Sequence, residues 1–379
     1  MYSFVGYGRM VADRVRMDAY ARAMRQVVFP GAVVLDIGTG TGIHAMLACQ
    51  MGARRVYAVE PDRIIQVARE AAAANGFADR IQFIQDLSSH VSLPERADVV
   101  VCDLRGVLPL FGHNLPAVAD ARDRLLAEGG SLIPLRDTVH GAVVESPEVY
   151  ARYSGPWDTR PYGLDFAAAR RVTTNSWGKE VLDAEALLTS AVRWTVIDYR
   201  TVRDPNVAGP LRWTVERGGT GHGVVLWFDA ELAEGAAFSN APGPAPLIYG
   251  GAFFPWEEAV ALRAGDEVAV EMRADLVEDE YVWSWATEVR RAGGTRTAFR
   301  QSTFVGSIAG VESLRRSAHD HVPALAGEGE AVREALARMD GATPLAEVAR
   351  HLHARFPHRF ADWRAAMGVV AELSRRYGA

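Results

Sequence analysis

A chain of 379 residues, 49% of them hydrophobic, is long enough to build two or three domains around a sizeable core. Its net charge of −6, with acids and bases interspersed, leaves no electrostatic footprint for nucleic acid and no polybasic run for a membrane surface, so a small molecule or a peptide is the expected partner. Two cysteines, Cys49 and Cys102, form neither a disulfide framework nor a metal set, and with no leader-like start and no 18-residue apolar run a cytoplasmic protein is expected.

Residues 1–30 form a lead-in in which Met10, Val11, Val15, Met17, Tyr20 and Met24 recur at near-helical spacing, predicting one amphipathic helix over Tyr7 to Arg25 that Pro30-Gly31 ends. Over 31–142 short apolar runs alternate with helical stretches: Val33–Ile37, helix His44–Met51, Arg55–Glu60, helix Ile64–Asn75, Ile81–Gln85, Ala97–Cys102 and helix Leu115–Leu126. That rhythm predicts a parallel sheet with right-handed crossovers, a doubly wound Rossmann-like α/β domain whose ligand sits at the carboxyl ends of the strands. Gly38, Glu60, Asp86 and Asp103 all fall there.

From about residue 143 to 320 the rhythm changes to β-rich runs between glycine and proline turns, among them Trp194–Tyr199, Gly223–Phe228 and Val268–Met272, with few helical windows. An antiparallel β-barrel or sandwich is expected. A segment rich in glycine and glutamate near Ala324–Glu330 reads as a linker, and 331–379 as a small helical module with a turn at Asp340-Gly341.

The most informative stretch is Asp36-Ile37-Gly38-Thr39-Gly40-Thr41-Gly42-Ile43, at a strand-to-helix turn. Gly38, Gly40 and Gly42 let the backbone approach a ligand where a Cβ would collide, and the following helix offers unpaired N–H groups. Glu60 ends the next strand about 20 residues on, where a carboxylate grips a ribose. A dinucleotide and S-adenosyl-L-methionine (SAM) both suit such a site. Asp36 ahead of the first glycine, and the Gly-x-Gly-x-Gly spacing, resemble the first motif of class I SAM-dependent methyltransferases rather than the dinucleotide fingerprint.

Read from Tyr7 to Phe304, the chain resembles the protein arginine methyltransferase family: a lead-in helix, a SAM-binding α/β domain and a β-barrel. Its most specific part is Met10-Val11-Ala12-Asp13-Arg14-Val15-Arg16-Met17-Asp18-Ala19-Tyr20, similar to the family's Met-x-x-Asp-x-x-Arg-x-x-x-Tyr. The resemblance implies that Arg16 meets the carboxylate of the methionine moiety and that Met10 packs beside the sulfonium. A guanidinium fork suits a carboxylate because it bonds both oxygens in one plane. It further implies SAM held by Asp36, Gly38, Thr39, Gly40, Gly42 and Ile43, its ribose by Glu60 beside Pro61, its adenine near Asp86, Leu87 and Ser88, and a homodimer formed by a barrel arm docked on the partner's SAM domain.

The departures from the family govern the expected acceptor. Family members hold the substrate guanidinium with two glutamates after the fourth strand, whereas Asp103 and Gly112 stand at those places here, with Arg105 between them. The family's Thr-His-Trp segment is replaced by Pro246–Gly251. A guanidinium buried without paired carboxylates carries an uncompensated charge. The expected reaction is therefore methyl transfer to a small-molecule or peptide-derived nitrogen or aromatic carbon, for example an indole, as in bacterial relatives of this architecture that depart from the glutamate pair. Asp103, His113 and Tyr7 are the candidate catalytic groups, with His113 or Asp103 as base. Phe111, Tyr249, Phe253, Phe254 and Trp256 could wall an aromatic pocket or simply fill a core. The alternatives are an arginine N-methyltransferase with an atypical acceptor loop and a non-catalytic SAM-binding scaffold. The run Leu336–Ala349 resembles small winged-helix peptide-binding modules similar to the coenzyme PQQ synthesis protein that presents a precursor peptide.

Overall fold

A computed structural model describes residues 4–243, 247–291, 293–307, 311–316 and 318–378. Met1 to Ser3 of the lead-in, Pro246 and Ala379 lie outside the described residues. The chain forms two compact units, one up to Ser307 and one from Ile308.

The lead-in is two helices rather than one, α1 (Phe4–Ala12) and α2 (Arg14–Val27). Asp13 breaks the periodicity: its carboxylate caps α2 by accepting from Arg16 N–H at 3.2 Å, and its second oxygen accepts from Ile248 N–H at 2.9 Å. Spacing of apolar residues is blind to this, because the break is fixed by a partner 235 residues away. Helix α2 buries Arg16, Tyr20 and Met24, whereas α1 buries no residue.

The α/β part follows the expected order: β1 (Val33–Ile37), α3 (Ile43–Gln50), β2 (Arg55–Val59), α4 (Ile65–Ala74), β3 (Ile81–Ile84), β4 (Ala97–Cys102), α5 (Asn114–Asp120) and β5 (Leu126–Ile133). These strands make one parallel sheet, ordered β3-β2-β1-β4-β5. Every residue of β1 is buried, as expected of a central parallel strand covered on both faces, which is why it reads as an unbroken apolar run interrupted only by Asp36. The strand order reverses between β1 and β4. Loops leaving the two therefore diverge and open a crevice at their carboxyl ends, bringing the glycine loop opposite Asp103.

Antiparallel structure begins at β6 (Arg136–Val144), a few residues earlier than the composition change at 143. It continues through α6 (Pro147–Asp158), α7 (Ala167–Thr174), β7 (Gly178–Glu180), β8 (Val192–Asp198), β9 (Val207–Thr214), β10 (Gly219–Ala233), β11 (Ala236–Ser239), β12 (Gly251–Leu262), β13 (Glu267–Val277), β14 (Glu280–Arg290) and β15 (Arg296–Ser302), with a last turn α8 (Thr303–Gly306). One sheet runs β7-β12-β10-β6-β8 with β11 on β10, and a second runs β15-β14-β13-β9. Strands of the second sheet alternate: in β13, Val268, Val270 and Met272 are buried while Glu267 and Glu271 face water. Phe253, Phe254, Trp256, Trp283 and Trp285 fill the interior, so three of the aromatic residues considered for a pocket are core. Helices α6 and α7 are an addition to the expected all-β region; Pro147 opens α6 at a position where its missing N–H costs nothing.

The second unit contains α9 (Val311–Arg316), α10 (Gly327–Leu336), α11 (Leu345–Arg355) and α12 (Trp363–Tyr377). The expected linker is in part the first turn of α10, where Glu328 and Glu330 lie at the positive end of the helix dipole. Ala335, Val348, Leu352, Phe360 and Val370 form its separate core. Among the described residues this unit has helices and no strand, so it lacks a β wing. No helix of the described residues is long and apolar enough to cross a membrane.

Candidate active site

The glycine loop follows directly from the end of β1. Gly38, Gly40 and Gly42 all have positive φ, at 69°, 53° and 81°, a region an L side chain enters only under strain. Space is short as well: a Cβ on Gly38 would come 2.3 Å from Leu104 Cδ2, and one on Gly40 3.0 Å from Tyr7 Cε1, so either side chain would have to shift. Asp36 holds the loop from below, accepting from the Thr39 hydroxyl and from Ala45 N–H at 3.1 Å. Burial pushes Asp36 up to about 7, against those two hydrogen bonds. Glu60 accepts from Gly40 N–H and from Asp62 N–H, each at 3.0 Å, which fixes its carboxylate at the rim. Burial raises its pKa despite both donors.

Gly38, Thr39, Gly40 and Glu60 wall a cavity of about 240 Å³ together with Tyr7, Met10, Arg16, Ile43, His44 and Asp103, while Asp36 and Gly42 support the loop from outside its walls. Its far end is a buried charge network. Asp103 accepts from Arg16 Nε at 2.6 Å, from Arg105 Nη1 at 2.9 Å and from the Tyr249 hydroxyl at 2.8 Å. Arg105 in turn donates to Asp137 at 2.7 Å and to the Tyr20 hydroxyl at 2.8 Å, and Tyr199 donates to Asp137 at 2.6 Å. Burial alone raises Asp103, but Arg16 and Arg105 beside it outweigh burial and bring it down to about 2. Burial raises the Asp137 carboxyl even with Arg105 beside it. Paired with Arg16 and Arg105, Asp103 is placed to orient and neutralise a cation at this end of the cavity.

His113 is not part of this site. Its Nε2 pairs with Asp279 at 2.6 Å, and both side chains are more than half exposed. It stands at the start of α5, on neither cavity wall. Tyr7 is on the wall, against Gly40. Asp86 lies at the surface, bonded to Leu87 N–H at 2.7 Å and to His90 at 3.0 Å; Asp86, Leu87, Ser88 and Pro61 stand outside the walls of this cavity. Sequence reading gave no role to His44, Asp137 and Tyr199, saw Tyr20 only as the last residue of the Met10–Tyr20 motif, and counted Arg105 only as a repulsive charge. Of the first three, His44 had a local signal, as the second residue of the helix that follows the glycines.

A second cavity of about 490 Å³ adjoins the first and shares Met10 and Phe111 with it; Tyr249, Ile248, Trp177 and Val107 extend its walls. Tyr249 thus reaches from the second cavity to Asp103 in the first. This hydroxyl lies in the stretch that replaces the Thr-His-Trp segment.

Comparison with known proteins agrees with this layout. Residues 20–133 match the family described as ribosomal protein L11 methyltransferase (PrmA), and residues 136–281 match the arginine methyltransferase oligomerization subdomain. Protein arginine N-methyltransferase 1 of Schizosaccharomyces pombe is 30% identical over 276 residues, 70% of this chain and 81% of that protein. The chain belongs to the protein arginine methyltransferase family. Probable protein arginine N-methyltransferase 6 of Arabidopsis thaliana is 31% identical over 250 residues, 63% of this chain but 57% of that relative's length. Among solved folds, Arabidopsis thaliana protein arginine methyltransferase 10 has a TM-score of 0.71 at 23% identity, covering 79% of this chain and 97% of that one. The Trypanosoma brucei PRMT1 enzyme-prozyme heterotetrameric complex with AdoHcy has a TM-score of 0.70 at 21% identity, covering 78% and 97%.

Membership of this family corrects the expected acceptor. A small molecule such as an indole was inferred from one loop, whereas the relatives matched over 63% and 70% of the chain are named protein arginine N-methyltransferases. The residues present also fit the family's cofactor. The three-glycine cradle leaves room for a nucleotide, Glu60 presents a fixed carboxylate, and the buried Nε2 of His44, on the cavity wall, has no hydrogen-bond partner among the described residues.

Proposed function

We propose that the chain is a SAM-dependent protein arginine N-methyltransferase with an atypical acceptor loop. The observation that carries this reading is the seam between the two cavities, where Asp103 and Tyr249 are hydrogen-bonded and Met10 and Phe111 belong to both walls. Bound SAM supplies an electrophilic methyl group on a sulfonium. Glu60 would hold the nucleoside over the glycine loop, and Arg16 would turn a guanidinium edge to the methionine carboxylate. As Arg16 shares itself with that carboxylate, Asp103 gains acceptor capacity for an incoming guanidinium N–H. Tyr249 and Arg105 keep Asp103 ionised and aimed. Holding the acceptor nitrogen close and aligned supplies most of the acceleration in such a displacement, in which the sulfonium would leave as a neutral thioether and the methylated guanidinium, doubly charged for an instant, would pass its proton by way of Asp103 to solvent. One carboxylate replaces the usual two, and Asp137, through Arg105, balances the second cation.

Incubation of the purified protein with methyl-labelled SAM and arginine-containing peptides, followed by hydrolysis and mass spectrometry, tests the assignment. Label on guanidinium nitrogen, absent from Arg→Lys peptides, is the expected result. Tight SAM binding with no label on any arginine would overturn it.

The acting form is proposed to be a homodimer. Between α6 and α7, Tyr162, Leu164 and Phe166 project apolar surface that this unit leaves exposed, Tyr162 completely. Replacing Tyr162 and Leu164 by aspartate is expected to shift the mass measured by light scattering from twice 41.3 kDa to a single chain. An unchanged mass would exclude this arm as the contact. The two free, buried cysteines suit a reducing cytoplasm.

A further inference from the structure

The walls of the second cavity carry a charge pattern that the family assignment does not explain. Arg9 from α1 and Lys179 from β7 stand on them, and among the cavity's lining residues there is no carboxylate. Neither cation makes an ion pair among the described residues; Lys179 Nζ instead donates to the Ile248 carbonyl at the cavity wall. The adjacent Glu180 is taken up by Arg152 and Tyr153. The two cations sense each other, since burial first and Arg9 second lower the Lys179 pKa. The remaining walls, Met10, Phe111, Trp177 and Ile248 among them, are apolar. An arginine side chain threading this cavity toward Asp103 therefore passes two positive charges before it meets a negative one. A substrate rich in further basic residues would be repelled at the same place.

We propose that the acceptor arginine is presented next to a carboxylate, which docks between Arg9 and Lys179 while the guanidinium reaches past Tyr249 to Asp103. The inference rests on the arginine methyltransferase reading and names its substrate class: an acidic peptide context. The carboxylate has two possible sources, a glutamate or aspartate neighbouring the arginine and the free C-terminus of a peptide ending in arginine. Both present the same charge within a side-chain length of the guanidinium.

The test uses the full chain, methyl-labelled SAM and a set of peptides of equal length. Their arginine is flanked by glutamate, by glycine or by lysine, or is C-terminal with a free or an amidated carboxyl group. The glutamate-flanked peptide, the free C-terminal peptide, or both are expected to exceed the glycine-flanked one by about tenfold or more in kcat/KM, shrinking with added salt. The two arms separate side chain from C-terminus. In the double variant Arg9→Gln, Lys179→Gln the preference is expected to fall below about threefold, with SAM affinity and melting temperature unchanged, because both residues lie off the cofactor cavity. Lys179→Glu is expected to raise the lysine-flanked peptide relative to the others. Transfer that ignores flanking charge, or favours lysine in the unmodified protein, overturns this inference alone. Transfer to no arginine peptide of any charge overturns the arginine reading itself and this inference with it.

Discussion

Asp103→Asn is expected to abolish methyl transfer and to destabilise the first unit together, because one carboxylate serves both. Its side chain is 3% exposed and accepts from Arg16, Arg105 and Tyr249. An amide of the same shape leaves Arg16 with no acid and Arg105 with Asp137 alone, all of them buried. Breaking a buried pair by removing one partner costs about 3–5 kcal/mol, since the other charge stays in the interior uncompensated. A fall in melting temperature on the order of 5–10 °C follows for a unit of this size. Losing the carboxylate at the acceptor end is expected to cost at least about 100-fold in kcat. Calorimetry and a methyl-transfer assay check the two parts, and a substituted protein that melts like the unmodified one would show that the network carries no net stability.

The pH dependence of that contribution has a definite sign. The Asp103 pKa is lowered in the folded protein, from 3.8 to about 2, so its stabilisation is present above about pH 4 and is lost as pH falls from 4 toward 2. Asp36 works in the opposite sense. Its pKa is raised to about 7 by burial, so the stability linked to its neutral form is complete below about pH 4 and declines as pH rises through 7. The Asp103→Asn variant is thus expected to lose the acid-limb slope between about pH 4 and 2 while keeping the decline near neutrality.

Glu60→Ala is expected to weaken SAM and its demethylated product by about 100-fold, the worth of two hydrogen bonds to a charged acceptor. The carboxylate is already fixed by Gly40 and Asp62 N–H groups, so a ribose meets it without paying to order it. Isothermal calorimetry reads the change directly. Burial raises the Glu60 pKa, so affinity is full above the shifted value and falls on acidification earlier than for an exposed glutamate. Unchanged heats with the alanine variant would remove Glu60 from the nucleoside site.

The cofactor half of the site was legible in the sequence because its parts are local. Strand, glycine turn and the acid ending the next strand lie within about 30 residues, and the β-α-β geometry dictates where each one ends up. The acceptor half was not. Tyr249 meets Asp103 from 146 residues away, and Arg105 meets Asp137 from 32. Counting charges along one loop made Arg105 a repulsive neighbour for a substrate cation, which, with the missing glutamate pair and Thr-His-Trp segment, led to the mistaken preference for a small-molecule or peptide-derived nitrogen or aromatic carbon over protein arginine. In the fold Asp137 on β6 answers that charge, and two aromatic rings, Phe228 and Phe238, lie 5.5 and 5.7 Å from the guanidinium. His113 lies off both cavity walls for the converse reason. A loop position says nothing about which way the ring faces, and Asp279 in the turn between β13 and β14 draws it outward. The split of the lead-in at Asp13 was likewise fixed by a distant partner rather than by period.

The wall that Met10 and Phe111 share also divides what can drift from what cannot. A substitution at either residue disturbs both ligands at once, so those two positions are held by a double constraint. Trp177, Lys179 and Ile248 line the second cavity alone and come from two other stretches of the chain. New peptide preferences can therefore be explored there while the nucleotide-binding half stays intact.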